Sequence, residues 1–161
     1  FTAASYSAPQ ELKNIVGHLA YLLEGVRDLS SLKPCHTVVE VNGTTLEDDY
    51  VFGSVTNTRS VGGIVQLKES DVRLDDGLFE VILVKMPKSP IDVNNIITGL
   101  LYSDFSASVF EAFKAQSVSF RFEKPGNWSL DGEKSEGGYH VLIENMIKAI
   151  SLLIAKDGSP Q

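Results

Sequence analysis

About eight short runs that alternate apolar and polar residues, with turn-forming residues between them, predict a mainly β, α+β fold. Its expected form is a two-layer antiparallel β-sandwich, with an N-terminal amphipathic helix and a helical insertion between middle strands. Two observations set those helices apart. One is a stripe at three- and four-residue spacing near the start, and the other is a similar spacing between residues 89 and 116. A length of 161 residues suits one domain with a real core, so residues 1–161 are read as a single unit.

The first element is expected over residues 11–29. Ser7-Ala8-Pro9-Gln10 reads as a capping box: the Ser7 hydroxyl can accept a first-turn amide, Gln10 can reach back, and Pro9 loses no helical bond. Leu12, Ile15, Val16, Leu19, Leu22, Leu23 and Val26 then build one apolar stripe, and Pro34 stops the helix. Residues 36–41 alternate as a strand, Asn42-Gly43 favours a tight hairpin with positive φ at both positions, and residues 50–56 answer. Residues 62–67 and 78–84 supply two more strands, with Asp75-Asp76-Gly77 read as a hairpin turn between them. Residues 92–102 and 106–115 are expected to be helical. Strands at 117–123, 128–130, 139–143 and 150–155 complete the pattern.

Composition excludes several functions. A net charge of −7 without a basic run argues against nucleic acid as a partner. The apolar tract at 146–155 is interrupted by Lys148 and is too short to span a bilayer, so any membrane contact is expected to be peripheral. The lone Cys35 cannot close an intramolecular disulfide, which favours a reducing compartment. Asn42-Gly43-Thr44 and Asn127-Trp128-Ser129 match the glycosylation pattern but read as turns. His18, His36 and His140 lack the spacing of a zinc site. No GxxxxGK[ST], GxGxxG or GxSxG motif is present, so the residues at hand are not expected to act as an enzyme alone.

Two acidic turns carry the chemistry. Asp75-Asp76-Gly77 is either a tight turn or the seat of a hard divalent cation, whose oxygen-rich shell a carboxylate, backbone carbonyls and water can complete. Asp131-Gly132-Glu133 is either a hairpin turn or the source of a carboxylate that takes a proton from an attacking hydroxyl. Residues two apart along a strand or turn return to one face, so Asp131 and Glu133 can act together.

In this order, with Gly62-Gly63, the segments Leu74-Asp75-Asp76-Gly77-Leu78 and Leu130-Asp131-Gly132-Glu133 resemble the C-terminal domain of the bacterial diacylglycerol kinase and lipid kinase family, which is related to the sphingosine and ceramide kinases. Lys13-Asn14, Gly17 and Ala20-Tyr21-Leu22-Leu23 follow that family's order. Asn57-Thr58-Arg59 and Val61-Gly62-Gly63-Ile64 each lack one glycine of its pattern.

The resemblance implies the lipid-facing half of an ATP-dependent kinase that converts diacylglycerol to phosphatidic acid. Alternatives are another lipid hydroxyl (sphingoid base, ceramide or polyprenol) or a non-enzymatic sandwich that binds an apolar ligand or a partner protein. It implies Asp131 as the base with Glu133 in reserve. It also implies a structural Mg²⁺ held by the Asp76 carboxylate and the carbonyls of Arg73 and Leu78. ATP is expected to bind a separate N-terminal domain whose Gly-Gly-Asp-Gly-Thr motif is absent here, and the opening on Phe1 is read as the interior of a longer chain. The expected location is cytoplasmic, at the inner face of the membrane. A homodimer through the strand at 150–155 is a further expectation.

Overall fold

The computed structural model describes residues 33–61, 65–67 and 72–150. The helix expected at 11–29, the Gly62-Gly63 pair and all but the first residue of the strand expected at 150–155 lie outside them. β1 (Cys35–Val41) and β2 (Thr44–Thr56) form the hairpin that Asn42-Gly43 dictates, with φ of 50° and 76° at the two turn residues. β3 (Ser60–Val61) pairs with β4 (Val65–Gln66), and β5 (Phe79–Lys85) leads into α1 (Pro90–Tyr102). β6 (Phe110–Ala115), β7 (Ser117–Phe122), β8 (Asn127–Leu130), β9 (Glu133–Glu136) and β10 (His140–Glu144) follow.

Six strands make one antiparallel sheet in the order β10-β7-β1-β2-β5-β6, and β3-β4 and β8-β9 are two-stranded ribbons. Among the described residues the fold is therefore mainly antiparallel β, as the sequence predicts, with one helix inserted between β5 and β6. A β-bulge shifts the β2–β5 register between Tyr50 and Phe52.

Both faces of the sheet are covered, and β5 shows it best. Val81, Ile82, Leu83 and Val84 are all buried, so this strand reads as a continuous apolar run rather than an alternation. Val81 and Leu83 face the cluster of Val39, Val41, Tyr50, Val118 and Phe120, on which Trp128 of β8 packs. Ile82 and Val84 face the other way, against Ile96 and Leu100 of α1. Full burial of such aliphatic side chains contributes roughly 1.5–3 kcal/mol each.

The helix expected at 92–102 starts two residues earlier, at Pro90. Ser89 Oγ accepts the Asp92 amide at 3.2 Å, Asp92 Oδ2 accepts the Lys88 amide at 2.9 Å, and Pro90 occupies the first turn. Ser103 ends it in the left-handed conformation, φ 54°.

Two expectations are corrected. The second helix expected at 106–115 is instead edge strand β6: the apolar spacing of Val109, Phe110 and Phe113 is short enough to read either way, and pairing along β5 decides it. Asp75-Asp76-Gly77 does not close a hairpin, because β4 pairs with β3 whereas β5 lies between β2 and β6.

Candidate functional site

The five residues singled out in the sequence fall into two places. Arg73, Asp76 and Leu78 lie in the turn just before β5, and Asp131 and Glu133 lie at the β8–β9 turn. No hydrogen bond or ion pair joins the two groups among the described residues.

The β8–β9 turn is a true hairpin. Leu130 pairs with Glu133, so Asp131 and Gly132 alone make the turn, with φ of 50° and 90°. Glycine and aspartate tolerate that left-handed backbone better than most residues. Asp131, Gly132 and Glu133 are exposed, and neither carboxylate meets a hydrogen-bonding or ionic partner among the described residues. The ribbon is anchored at its other end by Trp128, whose ring stands edge-on to Phe120 and Phe122 at 5.6 and 5.9 Å. Beside that ring a cavity of about 240 Å³ opens over the sheet, lined by Val39, Tyr50, Leu83, Phe120, Phe122 and Trp128 among others.

The turn before β5 is built inward. Asp76 Oδ1 accepts the Leu78 amide at 2.9 Å, a local bond that shapes the turn. Gly77 is buried with φ 76°, and a Cβ there would lie 2.6 Å from the Ile147 side chain. The Asn57 side-chain amide donates to the Leu74 carbonyl at 3.2 Å, tying the Asn57-Thr58-Arg59 segment to the turn.

On β5, Glu80 pairs in register with Lys114 of β6, whose Nζ lies 3.5 Å from Glu80 Oε1 and 3.9 Å from Asp76 Oδ2. At 3.5 Å the contact is a loose ion pair, and both Glu80 oxygens lack a hydrogen-bond partner. Burial pushes the Glu80 carboxyl above its ordinary value, against the pull of Lys114.

Among the described residues no three His, Cys, Asp or Glu side chains gather as a metal ligand set. A cation at the Asp76 turn would therefore draw on Asp76, on the Arg73 and Leu78 carbonyls and on water. A hard ion accepts such a shell. The donors present fit it: the buried acceptors without a partner, Asn57 Oδ1 and the two Glu80 oxygens, all flank this turn. The sequence reading missed Asn57 as a turn partner and missed Glu80 altogether. An acid inside the run Phe79-Glu80-Val81-Ile82-Leu83-Val84 is the signal that would have found it.

Other polar clusters hold the sheet together. Lys85 lies 2.7 Å from Glu111 and 3.7 Å from Asp48, and its pKa is raised by the hydrogen bond to Glu111. The neighbouring Tyr50 hydroxyl is pushed up to about 12, first by burial and then by Glu111 and Asp48. His36 bridges Asp49 (Nδ1, 3.0 Å) and Glu47 (Nε2, 3.2 Å), and these bonds raise its pKa.

Comparison with known proteins gives a consistent picture. The family model described as "YegS C-terminal NAD kinase beta sandwich-like domain" matches residues 2–153. A diacylglycerol kinase of Bacillus subtilis (strain 168) is 37% identical over 160 residues, which are 99% of this chain and 52% of that protein. One of Staphylococcus aureus (strain NCTC 8325 / PS 47) is 33% identical over 84 residues, 52% of this chain and 26% of that protein. A solved "putative diacylglycerol kinase" from Bacillus anthracis str. Sterne superposes with a TM-score of 0.58 at 24% identity, covering 78% of this chain and 44% of that one. The chain thus spans about half the length of its Bacillus subtilis relative.

Proposed function

Because the chain belongs to the family of the YegS C-terminal NAD kinase beta sandwich-like domain, we propose that it is the lipid-facing half of an ATP-dependent lipid kinase. The substrate we assign is diacylglycerol, whose free hydroxyl becomes the phosphate ester of phosphatidic acid. The names of the Bacillus subtilis and Staphylococcus aureus relatives support the lipid.

The observation that carries the reading is the exposed Asp131 carboxylate at the apex of a ribbon whose base flanks an apolar cavity. A carboxylate with no hydrogen-bonding or ionic partner among the described residues can accept a proton from a hydroxyl brought to it. The cavity lining of Val39, Leu83, Phe120, Phe122 and Trp128 suits hydrocarbon better than a sugar or a nucleotide. In this reading Asp131 takes the hydroxyl proton as the oxygen attacks, and Glu133 orients the same hydroxyl from the adjacent strand. ATP, held by a separate nucleotide-binding domain of the complete protein, supplies the γ-phosphoryl group, and ADP leaves as the bond to its β-phosphate oxygen breaks. A divalent cation at the Asp76 turn stabilises the chain around β5.

Among the described residues no helix is long and apolar enough to cross a membrane. We assign the complete protein a peripheral place on the inner membrane face, where its substrate resides.

The test is Asp131→Asn in the complete protein. The amide keeps the shape and hydrogen bonding of the side chain but cannot take the proton. Turnover in a lipid phosphorylation assay limited by chemistry should fall by about 10²–10⁴-fold, with ATP affinity preserved. Turnover near the wild-type value would reduce the Asp-Gly-Glu segment to a structural turn.

A further inference from the structure

Side-chain acceptors buried without a partner are rare in folded proteins. Among the described residues they are Asn57 Oδ1 and the two oxygens of Glu80, and all of them flank one turn. Glu80 is the extreme case, with its side chain only 8% exposed. A single ammonium, that of Lys114, stands between Glu80 and Asp76 at 3.5 and 3.9 Å, longer than a good charge-assisted hydrogen bond to either. Among the described residues the two carboxylates share this one ammonium as their recorded ion-pair partner. The buried acceptors around the turn are left without a hydrogen-bond donor there.

A magnesium ion would correct both shortages. It keeps several of its waters, and those waters are strong donors toward acceptors just beyond the ligands. Asp76 spends Oδ1 on the Leu78 amide, which leaves Oδ2 for the ion. Resting on the reading of the Asp76 turn as a divalent-cation site, we propose that Glu80 is a positioning residue of that site. Its carboxylate receives the water molecules of the ion's shell, and Lys114 is the competing cation that the ion displaces. Glu80 thus sets affinity without being counted among the ligands. Lys114 holds the two carboxylates together in the absence of metal.

The experiment uses the complete protein free of nucleotide, titrated with MgCl₂ and MnCl₂ by calorimetry and melted in either metal or EDTA. Asp76→Asn should abolish the metal-dependent rise in melting temperature. Glu80→Gln should weaken metal binding about 10–100-fold, the range expected for partners beyond the ligands. Lys114→Met should do the opposite. It should melt lower than wild type in EDTA, because two carboxylates are left facing each other, yet bind the ion more tightly and recover in MgCl₂.

A plain structural ion pair would lower stability in both Glu80→Gln and Lys114→Met without moving metal affinity. Wild-type affinity in Glu80→Gln overturns the inference while leaving the Asp76 site standing. Should Glu80→Gln fail to fold, unchanged or weaker metal binding by Lys114→Met overturns it. Metal binding by Asp76→Asn equal to wild type, or no metal effect on the wild type at all, removes the site itself and the inference with it.

Discussion

Asp76-Gly77 and Asp131-Gly132 are the same dipeptide, each with its glycine at positive φ (76° and 90°), but only Asp131 is itself left-handed (φ 50°), and the two sit in opposite surroundings. Around the first, the Leu78 amide, Lys114, Glu80 and Ile147 close in, and Asn57 reaches the Leu74 carbonyl beside it. Around the second there is open space, and a Cβ added to Gly132 would meet nothing within 4 Å. An enclosed aspartate has its geometry set by its neighbours and suits a role that never changes, such as holding an ion. One at an exposed apex suits contact with something that arrives, such as a substrate or another domain. The difference lies in the strands around the turn rather than in its letters.

The strongest way to break this comparison is to exchange the readouts. Asp131→Asn should lower turnover by the full range given above while leaving the magnesium-dependent shift in melting temperature unchanged. Asp76→Ala should reverse the pattern, with a larger loss of melting temperature in magnesium than in EDTA, because a bound ion stabilises the state that binds it. Equal losses in both media would leave Asp76 as a turn former only.

A smaller contrast separates the glycines. Gly132→Ala meets only the left-handed backbone and should cost about 1 kcal/mol. Gly77→Ala must also displace Ile147, and should cost roughly 2–3 kcal/mol in urea unfolding. Adding Ile147→Ala should bring the two close together, since the pair would then no longer couple.

The smallest effect concerns His36, on the β1–β2 hairpin. Asp49 and Glu47 raise its pKa, so its contribution is complete below the ordinary histidine value of 6.5 and is lost as pH rises through the higher folded value. His36→Gln should therefore narrow the gap in melting temperature between pH 5.5 and pH 8. An unchanged profile would show that the bridge contributes nothing measurable, as for many exposed pairs.

Much of the sheet was legible because its signals are local. Asn42-Gly43 dictates its turn, and alternation marks β1 and β7. β6 was not, since Phe110 and Phe113 fit either period until β5 is placed beside them. The acidic turns were legible as places but not as kinds. Whether Asp76 closes a hairpin depends on which strands pair, and that is settled by β3 taking β4 away from β5. Glu80 is marked in the sequence only as an acid inside an apolar run, and Asn57 not at all, since an unpartnered acceptor is a property of packing and leaves no periodic trace.

The strand order also has a consequence for the chain as it is made. β1 pairs with β2 on one side at once, but its other neighbour is β7, which follows the whole of β5, α1 and β6. Until residues 117–122 emerge, Cys35–Val41 lacks the strand that pairs with this edge among the described residues. Synthesis of the second half of the domain therefore protects the first, and a ribosome stalled before Ser117 should release a species prone to edge-to-edge association, although its β1–β2 hairpin is already correct.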